Sequence, residues 1–183
     1  SMRRVMQVIN TLKVLVVDDG RAVRLFDRGG GYVALGLAPA AKALRQEDQD
    51  RRDKADETPR FLMKPELIAA SGLGLKRSLT GYAVAVLADV PSLPAEQAAQ
   101  LADFTRRGGS LLLIHGARAD PAFFNGWMSD GQRVAPLQLG ACVTATGNTA
   151  QNGVMIAPDT FRHPALALFR ESGDLADAVL ACY

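Results

Sequence analysis

The sequence lacks the cysteine, histidine and glycine patterns that usually mark a metal, nucleotide or redox site. Cys142 and Cys182 form neither a CxxC nor another spacing typical of metal ligands. The run 29–31 is all glycine but is not followed by the Lys-Ser/Thr of a P-loop, and no G-x-G-x-x-G follows a predicted strand. His115 and His163 are the two histidines, and nothing in the sequence links them. We therefore predict no metal and no cofactor.

The sequence also lacks a strong charge of one sign and a long apolar run. Its formal net charge is +2, which is too small to indicate a nucleic-acid partner. No apolar run reaches the ~18 residues that cross a bilayer, and the first residues do not have the pattern of a signal peptide. The chain begins with Ser1-Met2, a pair typical of cloning, which predicts a fragment of a longer protein.

The composition is that of an ordinary globular domain. The chain has 183 residues, of which 48% are hydrophobic and 22% are charged, so one domain over residues 1–183 can bury a core without disulfides or metals. The hydrophilic segment 45–59 is predicted as a surface excursion. Cys142 and Cys182 are interpreted as small apolar side chains in or near the core. A disulfide between them would require an oxidising compartment, and the sequence does not place the two residues within bonding distance.

Short apolar runs alternate with helical patterns along the chain. Continuous apolar runs are typical of strands buried on both faces of a parallel sheet. The strong strand predictions are 13–17, 82–87 and 110–114, the weaker ones are 61–63 and 154–156, and 178–183 is a strand or the helix before one. The predicted helices are 31–44, interrupted by Gly36 and Pro39, together with 65–70, 94–107 and 163–170. This order predicts a three-layer α/β fold with a doubly wound, mainly parallel sheet.

Polar residues follow several of the predicted strands, where ligands bind in open α/β sheets. Asp18 and Asp19 follow the first strand, and Asp89 precedes a Val-Pro turn. Each aspartate is also explained by capping or turn formation, because its carboxylate accepts backbone N–H groups. Asp120, before Pro121, has the pattern of a helix cap.

His115 is the candidate for acid–base chemistry. It ends an apolar strand and is followed by Gly116, which would place it near the crevice. A histidine there could act as a general base or anchor a ligand, but a lone histidine without a nucleophile is more often a hydrogen-bonded structural residue.

Several segments resemble the class I glutamine amidotransferase-like domain. These are VLVVD (14–18), YAVAVLADVPSLP (82–94), 101–114 with its Arg-Arg-Gly-Gly turn, and Arg118-Ala-Asp-Pro. The resemblance covers most of residues 13–170 and implies a flavodoxin-like fold. It is closest to the version found in bacterial membrane-anchored proteins with BatA-type N-terminal helices, often accompanied by von Willebrand factor A domains. GGSLLLIHGA (108–117) is also similar to the trehalose-utilisation (ThuA-like) branch.

The nucleophile that an amidotransferase requires is missing. The resemblance places a catalytic cysteine on the strand-to-helix elbow after 110–114, where this chain has His115, Gly116 and Ala117. The His-x-Glu pattern is also absent, since Pro164 and Ala165 follow His163. Glutaminase chemistry is therefore not expected.

Two functional hypotheses follow from the resemblance. The favoured hypothesis is a non-catalytic module that binds a protein partner or small ligand, with Asp19, Gly116 and Arg118 as candidate contacts. Its parent protein would be membrane-anchored, with an extracytoplasmic location implied by the BatA-type relatives. The alternative is a ThuA-like enzyme acting on a sugar or polar metabolite, with His115 and a carboxylate, Asp18 or Asp120, as the acid–base pair.

Overall fold

The computed structural model describes residues 11–22, 24–39, 62–141, 154–155, 157–160, 162–172 and 179–180. The chain divides into two compact units, Ser1–Leu139 and Gly140–Tyr183, which are described separately below. The charged segment 45–59, Cys142 and Cys182 lie outside the described residues. The single domain over residues 1–183 and the surface excursion stay predictions.

The first unit is built around a four-stranded parallel sheet. Its strands are β1 (Leu12–Asp18), β2 (Met63–Ala69), β3 (Val84–Ala88) and β4 (Ser110–Ile114). They lie in the order β2-β1-β3-β4, so the chain leaves β1 in one direction and then returns to the other side of it. This is the strand order of a doubly wound sheet. The predicted three-layer, flavodoxin-like α/β fold is confirmed.

Four short helices accompany this sheet within the residues that the structure describes. They are α1 (Gly29–Leu37), α2 (Ala70–Leu73), α3 (Ala95–Arg106) and α4 (Pro121–Gly126). A small antiparallel hairpin of β5 (Met128–Ser129) and β6 (Gln132–Arg133) follows α4. The helix expected at 94–107 is confirmed, with Pro94 at its N-cap position.

The side chains of β1 alternate between two apolar layers. Val14 and Val16 pack with the α1 residue Val33 on one face of the sheet. Leu15 and Val17 pack on the opposite face with residues of α3 such as Leu101. All four β1 side chains are buried, as expected for the central strand of a parallel sheet.

The helix predicted at 65–70 is wrong, because residues 65–69 belong to β2 and Ala70 begins α2. The strand pairs along its whole length with β1, from Leu12–Met63 to Asp18–Ala69. Pro65 is tolerated there because β2 is an edge strand, whose outward N–H groups need no partner in the sheet. Pairing with β1 therefore outweighs the local helical pattern.

Helix α1 departs from the predicted 31–44 at both ends. It begins at Gly29 and passes through Gly36 without a break. It ends at Leu37, because Ala38 precedes Pro39 and adopts a non-helical conformation. The prediction that Gly36 interrupts the helix is therefore wrong, whereas Pro39 does mark its end. Residues 40–44 lie outside the described residues.

Strand β4 is buried on one face only. Leu111 and Leu113 pack against the core on the α3 side. Leu112 and Ile114 point to the other face and are 50% and 41% exposed. Helix α1 lies over β1, β2 and β3 on that face. The expectation of two buried faces therefore holds for β1 and fails for β4.

The described residues of the second unit form an antiparallel strand pair and short helical segments. β7 (Val154–Met155) pairs with β8 (Val179–Leu180), so the C-terminal segment contains a strand. Two 3₁₀ turns, Pro158–Thr160 and Pro164–Leu166, precede α5 (Ala167–Ser172). The helix expected after His163-Pro164 is therefore present as a 3₁₀ turn that continues into α5.

Among the residues that the structure describes, no helix is both long enough and apolar enough to cross a membrane.

The one-sided burial of β4 predicts very different costs for two leucine truncations. Leu87→Ala on β3 removes a side chain that is 2% exposed and should lower the free energy of unfolding by about 2–5 kcal/mol. Leu112→Ala on β4 should cost less than ~1 kcal/mol, because that side chain already contacts solvent. Urea denaturation followed by circular dichroism measures both, and equal losses would contradict the exposed face.

Candidate functional site

A buried ion pair lies beneath the carboxyl ends of the strands. Asp18 ends β1, and its side chain is only 2% exposed. Its carboxylate accepts hydrogen bonds from Arg28 Nε at 2.7 Å and from Arg28 Nη2. The backbone N–H of Gly20 donates a third bond at 3.0 Å. A carboxylate removed from water requires such partners, so Arg28 and the turn at Gly20 are structurally necessary here.

The glycine run at 29–31 allows α1 to begin directly over this ion pair. A Cβ atom on Gly30 would lie 2.7 Å from Leu67 Cδ1 and 2.8 Å from Asp18 Oδ2. Both distances are shorter than a Cβ contact allows, so only glycine fits at this position. The run therefore permits close packing of α1 on the sheet.

A second, more exposed ion pair joins three loops. Arg118 donates from Nη2 to Asp89 Oδ2 at 2.5 Å and from Nη1 to Asp19 Oδ2. Asp19 follows β1, Asp89 follows β3, and Arg118 lies after β4. We name Asp18, Asp19, Arg28, Asp89 and Arg118 together the carboxyl-edge cluster. Its three carboxylates and two guanidinium groups connect segments that are far apart in sequence.

Asp89 is held in an unusual conformation at the centre of this cluster. Its φ is +53°, a left-handed value that is uncommon for residues other than glycine. Its backbone N–H donates to the carbonyl of Ile114 at 2.8 Å, which continues the pairing of β3 with β4. Its Oδ1 atom is buried, and no described residue donates a hydrogen bond to it. Strain and an unsatisfied polar atom often coincide at functional positions.

Gly116 is required by the Asp89 side chain. A Cβ atom at Gly116 would lie 2.1 Å from Asp89 Oδ1, far inside van der Waals contact. Gly116 was predicted as a ligand contact, and the structure gives it a packing reason to be glycine. The carboxylate of Asp89 fills the space beside the end of β4.

His115 packs against an aromatic ring. Its ring lies 4.3 Å from the ring of Phe124 in α4, centroid to centroid, in an edge-to-face arrangement. Burial lowers the pKa of His115 below its ordinary 6.5, so the imidazole is neutral at pH 7. Among the described residues, no carboxylate, serine or threonine side chain forms a hydrogen bond with it.

Asp120 has a local structural role. Its Oδ1 atom accepts the backbone N–H of Ala122 at 2.9 Å, and Pro121 occupies the first turn of α4. This confirms the predicted cap and proline pattern. The Asp120 side chain therefore caps the N-terminus of α4, the helix that also contains Phe124.

The charge state of Asp19 follows from its position between two arginines. Its partial burial alone would raise its pKa, but this effect is outweighed. The side-chain hydrogen bond from Arg118, the backbone N–H of Arg21 and the charges of both arginines lower the pKa of Asp19 below its ordinary value. Asp19 is therefore a charged hydrogen-bond acceptor at neutral pH.

The structure brings together only part of the predicted set. Asp18 and Asp19 lie in the carboxyl-edge cluster with Arg118, whereas His115 and Asp120 contact α4. Arg28 and Asp89 complete the cluster, although Asp89 was assigned to a turn and Arg28 was not considered. An aspartate directly after the apolar run 14–17 signals a buried charge, but the sequence does not identify which arginine pairs with it.

The elbow after β4 has an ordinary backbone. In the described ranges, the residues other than glycine with positive φ are Asp89 and Asp130, so His115 does not adopt a left-handed elbow conformation. No group of three or more His, Cys, Asp or Glu side chains in those ranges could hold a metal ion.

Comparison with known proteins gives no relative. No protein-family model, no curated protein and no solved structure matches the chain.

The two ion pairs should differ in their contribution to stability. Asp18→Asn removes the charge that balances Arg28 in a nearly dry site and should lower the free energy of unfolding by about 3 kcal/mol. Arg118→Ala removes a side chain that is 40% exposed and should cost about 1 kcal/mol or less. Urea unfolding of both variants measures the difference. A smaller loss for Asp18→Asn would contradict the buried pair.

The pKa of Asp19 should depend on Arg118. Since the folded-state pKa is lowered, the contribution of Asp19 to stability is present above its unfolded pKa of about 3.9 and is lost as the pH falls through the folded pKa. NMR titration of the side-chain carboxyl should give a value below 3.8, and Arg118→Ala should raise it. An unchanged pKa in that variant would show that Arg118 does not pair with Asp19 in solution.

Proposed function

We propose that this chain is a non-catalytic, amidotransferase-like binding module, which binds a protein partner or a small ligand at its carboxyl-edge cluster. The observation that supports the proposal most directly is the double ion pair of Arg118 with Asp19 and Asp89. Arg118 thereby bridges the carboxylate that follows β1 and the carboxylate that follows β3. Ligands of open α/β sheets bind at this edge.

Charge pairing makes this edge unsuited to acid–base catalysis. A general acid or base requires a pKa near the working pH and access to the proton that it transfers. Asp19 has a lowered pKa and is paired, and Asp18 is buried beneath Arg28. Nucleophilic catalysis additionally requires a nucleophile in hydrogen-bond contact with a base. His115 has no such contact among the described residues.

The same arrangement suits recognition. Arg118 is 40% exposed and presents a guanidinium group held in position by two carboxylates. Asp89 remains 33% exposed and supplies an acceptor beside it. A partner with complementary charged or hydrogen-bonding groups can therefore contact a preformed polar surface with little loss of side-chain entropy. The proposed membrane-anchored parent protein rests on the sequence resemblance alone.

One observation favours a second candidate, a ThuA-like enzyme acting on a sugar or polar metabolite. His115 is neutral at pH 7, which is the form that accepts a proton. This candidate requires a carboxylate to contact His115 when substrate binds. Asp120, the nearest such residue in sequence, is engaged as the cap of α4.

A hydrolysis assay separates the two candidates. The purified chain should not hydrolyse glutamine or p-nitrophenyl esters above the rate of His115→Ala, because no nucleophile is positioned at the elbow. Release of ammonia and of p-nitrophenol measures the two reactions. Turnover that His115→Ala abolishes while the variant remains folded would overturn the binding-module proposal in favour of the enzyme.

Binding itself is tested by a thermal-shift screen of sugars, amino acids and nucleotides. A ligand at about 100 times its Kd stabilises the folded state by about 2.7 kcal/mol, which raises the melting temperature measurably. Arg118→Ala should abolish the shift for a ligand bound at the carboxyl-edge cluster. Asp130→Ala serves as the control, because Asp130 pairs with a different arginine, Arg106, outside this cluster.

A further inference from the structure

A polar pocket lies at the opposite end of the sheet from the carboxyl-edge cluster. It has a volume of about 460 Å³, within the range of about 300–1,000 Å³ that is typical of small-molecule sites. One wall is the segment 77–83, which leads into β3. The other wall is the C-terminal half of α3 and the turn 107–109 that leads into β4. The pocket therefore lies at the amino ends of two neighbouring strands.

The first wall is fixed by packing and local hydrogen bonds. Leu79 is 5% exposed and anchors the segment in the apolar core. Ser78 Oγ accepts the backbone N–H of Thr80 at 3.1 Å, and the two hydroxyl groups are 2.7 Å apart. The segment is thus held in one conformation with both hydroxyl groups near the pocket.

A hydrogen bond ties the two walls together. Gln100 Nε2 in α3 donates to the carbonyl of Lys76 at 2.7 Å. Lys76 in turn bonds to Tyr82 Oη at 2.8 Å, on the far side of the same segment. These contacts fix one wall relative to the other, so a ligand does not have to order the backbone of the pocket.

The residues that line the pocket have a net positive charge. Arg77 and Arg107 are both exposed, and Asp103 is the carboxylate among the lining residues. Asp103 Oδ2 already pairs with Arg107 at 2.6 Å, and its other oxygen pairs with Arg106 outside the lining. Arg77 pairs with no carboxylate among the described residues. The lining therefore has one guanidinium charge that internal acids do not neutralise.

We propose that this pocket binds the oxyanion group of a small molecule, a phosphate or a carboxylate. Guanidinium groups match both in geometry because they donate two parallel hydrogen bonds. Arg77 and Arg107 supply these donors from opposite walls. The Thr80 hydroxyl, which accepts the hydrogen bond from Ser78 Oγ, supplies a further one. Gly81 and Gly108 also line the pocket, and neither has a side chain that would fill the space between the two walls. The site is separate from the carboxyl-edge cluster and from the function proposed for it.

The test is isothermal titration of the full chain with inorganic phosphate, pyrophosphate and citrate at constant ionic strength. Constant ionic strength is necessary because salt screens exposed charges. We expect saturable binding of at least one of these anions, and the preferred anion distinguishes phosphate from carboxylate. The double variant Arg77→Ala/Arg107→Ala should weaken that binding by about tenfold or more, because charge-assisted hydrogen bonds are lost.

Matched variants separate a specific site from general attraction. Arg24→Ala/Arg133→Ala removes the same charge from two exposed arginines outside the pocket and should leave the affinity unchanged. Thr80→Trp fills the pocket without changing its charge and should abolish binding. Arg118→Ala should have no effect, so the outcome is independent of the carboxyl-edge cluster. Binding that is absent for all three anions, or weakened equally by both double variants, would overturn the proposal.

Discussion

The burial of the Asp18 carboxylate at the end of the central strand constrains much of the first unit. A charge in that position is costly unless several donors surround it, and Arg28 supplies two of the three. The chain must therefore turn back over β1 soon after leaving it. Helix α1 then begins directly above the ion pair, at a distance that Gly30 alone permits. The buried carboxylate is thus in direct contact with the residues that begin the first helix.

The two edge strands of the sheet, β2 and β4, differ in their side chains and in their exposure to solvent. β2 carries Pro65 and the charged Lys64 and Glu66, which discourage pairing with another strand. Glu66 is further engaged by Lys76 and Tyr82, and its pKa is lowered by their hydrogen bonds. β4 has neither proline nor charge, and its apolar side chains are half exposed on the α1 side. Both faces of a parallel sheet are usually covered by helices, whereas one face of β4 contacts solvent.

The carboxyl-edge cluster and the polar pocket lie at the two ends of the sheet. At the carboxyl end, carboxylates and guanidinium groups are matched to one another, and the strained Asp89 is enclosed by Gly116 and Arg118. At the amino end, the arginines exceed the acids and border a cavity. Paired opposite charges hold the side chains of a surface in fixed positions, whereas an excess of positive charge favours binding of an anionic group. The two ends therefore have different binding chemistry.

The sequence alone determined the fold class, the positions of β1, β3 and β4, helix α3 and the cap at Asp120. These features depend on local signals, namely apolar runs, helical spacing and a side chain that bonds its own helix. The tertiary structure decided that 65–69 is a strand, that Arg28 is the partner of Asp18, and that one face of β4 is exposed. The strand and the exposed face depend on contacts between residues distant in sequence, and the Asp18–Arg28 pair joins residues 10 positions apart. None of these contacts leaves a periodic signal in the chain. The same holds for Arg118, whose two carboxylates are 99 and 29 residues away and meet it only when parallel strands end at a common edge.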